Sequence, residues 1–215
     1  MKSLILKDLY NIGHNARSML FILIVLAVAF IPTSGVEGYI YISTILCVMM
    51  ILTTFSFDDN CKWTRYALVM PLTKNDIVGA KYAVLTIFSA IGSLFGLAAG
   101  TVGGIVTGKL ELTGQSILQM AGIAFSALIM GVVFGSMVIP LVFKFGVEKS
   151  RMLILVSFLV PSGICLGVYK LLELAGVEFT DSLVLKLMCL APFIAAAWGF
   201  AMYKISCSIF AKTEQ

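Results

Sequence analysis

The sequence predicts an all-α integral membrane protein with six transmembrane helices, an N-terminal interfacial helix and one helical cytoplasmic loop. Of its 215 residues, 60% are hydrophobic and only 12% are charged, whereas about a quarter of a soluble domain is charged. The mean hydropathy is +1.04, and the charges divide the chain into long uncharged runs. Lipid must therefore surround most of the chain, because a soluble core of this length cannot bury so much apolar surface.

Six runs contain no Asp, Glu, Lys or Arg: residues 18–36, 38–57, 82–108, 112–143, 152–169 and 187–203. A helix needs about 17–25 apolar residues to cross the hydrocarbon core of a bilayer, so each run predicts one span. We place the spans at about 18–36, 38–57, 82–107, 115–143, 152–172 and 183–204. They form a single transmembrane domain, residues 1–215.

The basic residues predict the orientation of these spans. If the N-terminus lies inside, Lys109, Lys170 and Lys186 lie outside and all the other Lys and Arg residues lie inside. Because cytoplasmic loops carry the excess of Lys and Arg, both termini are predicted to be cytoplasmic. The expected location is a cell membrane that the chain crosses several times.

Residues 1–17 show helical amphipathicity. Ile5, Leu9 and Ile12 fall on one side of a helical projection, and Lys7 and Asp8 fall opposite. This pattern is typical of a helix that lies in the membrane interface. The alternative is that residues 1–17 simply extend the first span into the cytoplasm.

Glycines recur every four residues in the third span and again in the fourth. Such small-xxx-small spacing lets helix backbones approach closely in lipid. Two interpretations stay open at this stage, packing within the chain and packing between two chains. The predicted packing residues are Gly92, Gly96, Gly100, Gly104, Gly131 and Gly135.

Pro161 and Gly163 lie in the middle of the fifth span. Proline removes a helical hydrogen bond and kinks a helix. We therefore predict a kink at this pair, which would be either a hinge or a packing feature.

No pattern of residues predicts catalysis or a bound cofactor or metal in this chain. The run from Gly103 to Lys109 resembles a phosphate-binding loop, but Leu110 stands where Ser or Thr must hold magnesium. No stripe of basic residues indicates nucleic acid. The uncharged runs also lack histidine, although ion-coupled carriers usually keep an ionisable group in the membrane.

The one substantial cytoplasmic loop covers residues 58–81. Asp58 and Asp59 are expected to open a short helix at its positive end, and Pro71 is expected to end that helix. Aromatic and apolar side chains at spacings i, i+3, i+4 and i+7 share one face of it. These are Trp63, Tyr66, Ala67 and Met70.

A second helix is predicted directly after this one. Thr73 is a suitable N-cap residue, and Asp76 follows three residues later in the position of a capping box. Two interpretations of the whole loop are open. It is either an anchor in the membrane interface, since Trp and Tyr favour lipid headgroups, or a docking element for a cytoplasmic partner.

This loop resembles the corresponding segment of small bacterial ABC-2-type transporter permeases. The N-terminal Leu6-Lys7-Asp8-Leu9-Tyr10 is also similar to the start of that family, and the six-span plan covers the whole chain. The resemblance in the loop rests on Asp58-Asp59, Lys62-Trp63, Tyr66-Ala67-Leu68, Met70-Pro71, Val78 and Lys81-Tyr82.

The resemblance implies a half-transporter in which two permeases, as a homodimer or as two paralogues, assemble with two separate ABC ATPase subunits. ATP and magnesium would bind to those ATPases and not to this chain. The first cytoplasmic loop would provide the coupling helix that receives force from them. The residues implied in coupling are Asp58, Asp59, Lys62, Trp63, Arg65, Tyr66, Met70, Pro71 and Lys74.

The chain departs from many ABC-2 permeases between spans five and six, where the segment Glu173–Asp181 is short. This departure argues against polysaccharide and favours a small exporter of amphipathic peptides or other apolar cargo. The alternatives are an ion-coupled secondary transporter and a membrane scaffold or sensor that transports nothing.

Overall fold

The computed structural model describes residues 2–69, 73–108, 113–174 and 181–213, and the described residues confirm the all-α fold class. Five helices are assigned there: α1 (Lys2–Asn60), α2 (Trp63–Val69), α3 (Lys74–Val106), α4 (Gly114–Leu174) and α5 (Asp181–Thr213).

Five segments of these helices are long and apolar enough to cross a bilayer. They are Asn15–Asn60, Lys74–Val106, Gly114–Ser150, Met152–Lys170 and Leu190–Lys212. The chain is therefore a multi-pass membrane protein, as its composition predicts.

Helix α1 is a hairpin of two helical arms that meet at Gly35. That glycine has φ 79° and ψ 174°, a backbone conformation that is almost confined to glycine. The Tyr39 hydroxyl donates to the Leu23 carbonyl at 3.1 Å, and Lys7 contacts Asp58 near the far ends of the arms. The first arm (residues 2–34) and the second arm (residues 36–60) are therefore antiparallel.

We expect Gly35→Ala to destabilise the protein by about 1–3 kcal/mol, the usual cost of a strained backbone conformation. A Cβ at this position would meet no atom within 4 Å, so the effect would come from the backbone alone. Gly13→Ala is the matched control, because Gly13 is helical, lies in the same arm and also has open space at Cβ. Thermal unfolding in detergent measures both, and equal midpoints would contradict the prediction.

The helix predicted for residues 1–17 is present over residues 2–17, but it is not separate from the first span, and its position in the membrane interface stays a prediction. Within α1 only Gly35 departs from helical φ and ψ, so the described residues 2–17 continue into the first span without a break. Leu4, Asp8 and Ile12, which follow one another at intervals of four residues, are buried, so the side that packs on protein differs from the predicted apolar side, whose Ile5 and Leu9 are only partly buried. The alternative of an extension of the first span describes the structure better.

The chain divides into two compact units, Met1–Val132 and Val133–Gln215. The first unit contains both arms of α1, α2, α3 and the start of α4. Its core is built around Tyr39 and Ile40, which are fully buried. The packed side chains are Ile31, Val36, Tyr39, Ile40, Met120, Ala124 and Ala127.

The glycines of α3 lie against the second arm of α1. A Cβ on Gly92 would come within 2.7 Å of Cys47 Cβ and 2.9 Å of Thr44 Cα, and one on Gly96 within 3.0 Å of Ile40 Cα. The Ser43 hydroxyl donates to the Gly92 carbonyl at 3.1 Å. These contacts favour packing within the chain over packing between two chains.

The other predicted packing glycines also face protein. A Cβ on Gly100 would meet Val36 Cγ1 at 2.9 Å, and one on Gly131 would meet Ser89 Oγ at 2.7 Å. Gly104 and Gly135 are buried. Small residues in two successive spans thus bring α3 and the start of α4 close to their neighbours in the first unit.

The second unit contains a second glycine-centred hairpin. Gly146 has φ 77° and ψ 170°, and Phe134 and Phe158, equally far from it in sequence, bring their ring centroids to 4.8 Å. The interruption of α4 therefore lies at Gly146 and not at the predicted hinge. Pro161 and Gly163 keep helical φ and ψ, and a hinge there stays a prediction.

Candidate functional site

Four charged side chains meet in the first unit at the ends of three helical segments. We call Lys7, Asp8, Asp58 and Lys81 the charge cluster. Lys7 and Asp8 come from the first arm of α1, Asp58 from the second arm and Lys81 from α3. Asp8 is 1% exposed and Lys81 is 4% exposed. Charges are almost never buried so completely unless they are paired.

Lys81 makes the hydrogen bonds that an ammonium group can make. Its Nζ donates to Asp58 Oδ2 at 2.6 Å, to Asp8 Oδ2 at 2.9 Å and to Thr54 Oγ1 at 3.1 Å. An ammonium has three donors, and all three are used here. The Phe55 ring, with its centroid 4.7 Å away, adds an aromatic face to the site.

Lys7 connects the charge cluster to α2. Its Nζ donates a hydrogen bond to Asp58 Oδ1 and lies 4.6 Å from the centroid of the Trp63 ring. It also lies 3.2 Å from Asp8 Oδ1, an oxygen that is buried and accepts no hydrogen bond. The Lys7–Asp8 contact is thus an ion pair without hydrogen-bond alignment. Lys7 is the more accessible cation, with 23% of its side chain exposed.

The charge cluster is electrically neutral, with two ammonium groups and two carboxylates. Taking such charges out of water is costly, and their mutual attraction returns that cost only when the geometry is good. The cluster is therefore better understood as a device that fixes three helices relative to one another than as a source of net stability. Removing one member would leave an uncompensated buried charge.

Asp58 and Asp59 do not open the loop helix, and that expectation is wrong. Helix α1 continues to Asn60, and Lys62 then takes a positive φ of 51° before α2 begins at Trp63. Asp58 and Asp59 consequently lie near the negative end of α1, where the helix dipole disfavours carboxylates. The ammonium groups of Lys7 and Lys81, and not the helix dipole, stabilise the Asp58 carboxylate.

Helix α2 turns one side toward the protein and another outward. Ala67 is completely buried, whereas Tyr66 is 64% exposed and Val69 is 87% exposed. Trp63 is half-buried beneath Lys7. Arg65 lies in the same helix, but Met70 and Pro71 lie outside the described residues. The predicted aromatic face thus holds both an anchor, Trp63, and an exposed ring, Tyr66.

The helix after α2 begins as predicted. Thr73 is the N-cap of α3 and forms a capping box with Asp76. The Asp76 amide donates to Thr73 Oγ1 at 3.2 Å, and the Thr73 amide donates to Asp76 Oδ2 at 3.3 Å. Lys74 is the first residue of α3. The predicted capping box is confirmed.

The loop of residues 58–81 is closed at its base by its own end residues. Asp58 opens the loop and Lys81 ends it, and the hydrogen bond between them, 2.6 Å long, is the shortest of the three that Lys81 donates. Through Asp8, the same ammonium binds the first arm of α1. Displacement of α2 would therefore be transmitted at one point to both arms of α1 and to α3.

The sequence did not predict that Lys7, Asp8 and Thr54 lie at this site. A local signal for Asp8 and Lys7 was absent, because both lie on the side of the segment that helical periodicity predicts to be polar. Among the described residues, no group of three or more His, Cys, Asp or Glu side chains could hold a metal ion.

The structure is that of a multi-pass membrane protein. Its long apolar helices bend at glycine hairpins, and buried ion pairs close the helical loop of residues 58–81. A family model described as ABC-2 family transporter protein matches residues 3–211. The chain belongs to this family and is an ABC-2-type permease, as its resemblance predicts. A search of curated proteins gave no match.

Proposed function

We propose that this chain is the membrane-spanning subunit of an ATP-driven exporter of amphipathic peptides or other apolar cargo. The observation that carries the proposal is the Asp58–Lys81 pair. It closes the loop around α2 and joins that loop to the helices that would move during transport.

Six spans with both termini inside are part of this proposal. The 46-residue segment Asn15–Asn60 would be about 69 Å long as one helix at 1.5 Å per residue, more than twice the hydrocarbon thickness. The hairpin at Gly35 divides it into two spans of suitable length. Together with the other four candidate segments, they give six.

Helix α2 would serve as the coupling helix. Its exposed Tyr66 and Val69 offer an apolar contact for an ATPase, and Ala67 and Trp63 fix its other side to the permease. Force applied to Tyr66 would reach Lys7 through Trp63, and from Lys7 it would reach Asp58. ABC-2 permeases generally work with ABC ATPase subunits, which here would bind ATP and magnesium and pair with two permeases in a bacterial cell membrane.

The distribution of charge supports an apolar or amphipathic cargo. The proposed spans hold no acidic or basic side chain deep in the membrane, and the buried charges of the charge cluster lie near helix ends. An ion path usually keeps such a group inside the membrane. Weakly polar helix faces suit a peptide that is itself partly apolar.

The test is to co-express the chain with an ABC ATPase subunit from the same organism and replace Tyr66 by Ala. An exposed aromatic side chain at the centre of an interface usually contributes at least 1–2 kcal/mol. We therefore expect ATPase binding to weaken about tenfold or more, with a matching loss of cargo-stimulated hydrolysis. Tyr10→Ala is the matched control, because Tyr10 is 75% exposed but lies outside the loop.

Trp63→Ala separates docking from force transmission. Trp63 contacts Lys7, so its loss should reduce cargo-stimulated hydrolysis more than it reduces ATPase binding. If both variants bind and couple like the unchanged protein, α2 is not the coupling helix. Cargo uptake driven by an ion gradient without the ATPase would instead indicate a secondary transporter, and stable binding without any cargo movement would indicate a scaffold.

A further inference from the structure

One carboxylate oxygen of the charge cluster is buried without a hydrogen-bond partner. Lys81 Nζ donates to Asp8 Oδ2 at 2.9 Å, but Asp8 Oδ1 accepts no hydrogen bond from the described residues. Only 2% of the Asp8 side chain is exposed, so this oxygen is shielded from the surrounding solvent. A buried charged acceptor without a partner has lost its hydration and received nothing in return. A donor for it is therefore expected close by.

Lys7 can be that donor. Its Nζ lies 3.2 Å from Asp8 Oδ1, which is within reach but not aligned for a hydrogen bond. An ammonium has three donors, and within the described part of the chain Lys7 uses one of them, to Asp58 Oδ1. Because the lysine side chain is flexible and its donors rotate, a small turn of Lys7 directs a free donor to Asp8 Oδ1.

The Trp63 ring favours the present position of Lys7. Its centroid lies 4.6 Å from Lys7 Nζ, and a cation over an indole face is attracted to it, more strongly where water is partly excluded. Trp63 belongs to α2, whereas Asp8 and Asp58 both belong to α1. Withdrawal of α2 would therefore remove the ring and leave both carboxylates beside Lys7.

A turn of Lys7 to Asp8 keeps the buried charges of the cluster compensated. Lys81 still binds Asp58 through Oδ2 at 2.6 Å. The Asp58 side chain is 11% exposed, against 2% for Asp8, so water can replace Lys7 at Asp58 more easily than it can reach Asp8. No charge leaves the cluster, and the penalty for leaving a buried charge without its partner is largely avoided.

We propose that Asp8 Oδ1 is the reserve acceptor for Lys7, the oxygen to which Lys7 turns when α2 carries the Trp63 ring away. The helix then separates from a charge cluster that stays neutral and paired. The role of this step in transport rests on the proposed function, because an ATPase is what would move α2. Asp8 is accordingly a positioning residue for coupling, since it acts only through Lys7.

The first experiment needs no ATPase and imitates withdrawal of the ring with Trp63→Leu. The unfolding midpoint in detergent is measured for Asp8→Asn with Trp63 present and in the Trp63→Leu background. If Lys7 turns to Asp8 once the ring is gone, Asp8→Asn should lower the midpoint by several degrees more in the Trp63→Leu background. Introducing Lys7→Met as well should abolish this additional loss.

Glu148→Gln is the matched control, because it neutralises an exposed carboxylate and should have the same effect in both backgrounds. Equal losses from Asp8→Asn with and without the Trp63 ring would overturn the proposal. That result is expected if a fixed water binds Asp8 Oδ1 in both proteins.

The second experiment follows the Trp63 ring and does not depend on the folding of Trp63→Leu. The permease alone is labelled with fluorotryptophan, and the fluorine NMR signals of its two tryptophans are assigned with Trp198→Phe. Lys7→Met gives the Trp63 signal without the ammonium. Addition of the ATPase with a non-hydrolysable ATP analogue should move the Trp63 signal toward that position, and several-fold less in Asp8→Asn. An equal movement in Asp8→Asn would overturn the proposal.

The two experiments distinguish failure of this proposal from failure of the proposed function. A Trp63-dependent effect of Asp8→Asn on the midpoint, in a permease that binds no ATPase, would support the reserve acceptor and contradict α2 as the coupling helix. Normal ATPase binding and cargo-stimulated hydrolysis, with equal midpoint losses in both backgrounds, would overturn the reserve acceptor and leave the coupling helix in place.

Discussion

Lys81→Met is expected to destabilise the protein by about 3–5 kcal/mol, the usual cost of removing one partner from a buried ion pair. Methionine fills a similar volume but leaves Asp8 and Asp58 buried near each other without their shared ammonium. Lys7 remains, but it is bound to one oxygen of Asp58 and is poorly aligned with Asp8. It cannot replace the three hydrogen bonds of Lys81.

Thermal unfolding in detergent measures this loss, with Lys149→Met as the control at an exposed lysine. A double-mutant cycle tests the mechanism: Asp8→Asn should be destabilising alone and should recover part of the stability of Lys81→Met, because it removes one uncompensated charge. A Lys81→Met midpoint equal to that of the control would show that the charge cluster does not fix the three helices. Independent effects of Lys81→Met and Asp8→Asn would show that the two residues are not paired.

The same substitution has a functional consequence under the proposed function. Without Lys81 the loop of residues 58–81 is no longer closed at its base, and α2 is attached to the rest of the protein mainly through Lys7 and Ala67. Permease that still folds should bind its ATPase but show reduced cargo-stimulated hydrolysis. This outcome differs from that of Tyr66→Ala, which is expected to lower binding itself.

Much of the fold follows from local features of the sequence. Uncharged runs predict the apolar helical segments, and the turn implied between the predicted spans 18–36 and 38–57 falls at Gly35, because a hairpin between two spans needs a residue that tolerates positive φ. The Thr73–Asp76 capping box is equally local. Each of these features is determined by residues that belong to it: the residues of the run itself, Gly35 at the turn, and Thr73 and Asp76 at the helix start.

The candidate site is different, because its members are distant in sequence. Lys7 and Asp58 are 51 residues apart, and Lys81 and Asp8 are 73 apart. Hydropathy and helical periodicity predicted that Asp8 would lie on a polar face, but not that two hairpin arms would bring it to Lys81. The burial of Leu4, Asp8 and Ile12 has the same origin, because the side of a helix that packs on protein depends on neighbours that are distant in sequence.

Glycine spacing shows a further limit of the sequence. The four-residue repeat predicts close helix approach, but it does not identify the neighbouring helix. In the structure, Gly92 lies beside Thr44 and Cys47, and Gly96 beside Ile40, which are successive turns of the second arm of α1. The complementary small residue Ser43 could have indicated this partner, since it hydrogen-bonds to Gly92.

Gly92→Ala is expected to destabilise the protein by about 1–3 kcal/mol or more, because extra volume in a tight interface forces the backbones apart. A Cβ there would lie 2.7 Å from Cys47 Cβ and 2.9 Å from Thr44 Cα, and the second of these atoms is backbone. Separation of the helices would also weaken the Ser43–Gly92 hydrogen bond. Gly122→Ala, where Cβ meets nothing within 4 Å, should be neutral or stabilising by up to about 1 kcal/mol.

Cys47→Gly in the Gly92→Ala background identifies the cause. It removes the Cβ contact but leaves the Thr44 backbone in place, so Gly92→Ala should cost less in the Cys47→Gly background than in the unchanged protein, with the separate cost of Cys47→Gly measured alone. Thermal unfolding and size-exclusion chromatography should be measured together on all variants. A Gly92→Ala protein that loses its self-association but keeps its unfolding midpoint would place this glycine between chains. A lowered midpoint with unchanged association would place it within the chain, where steric contact with α1 determines how closely α3 can pack.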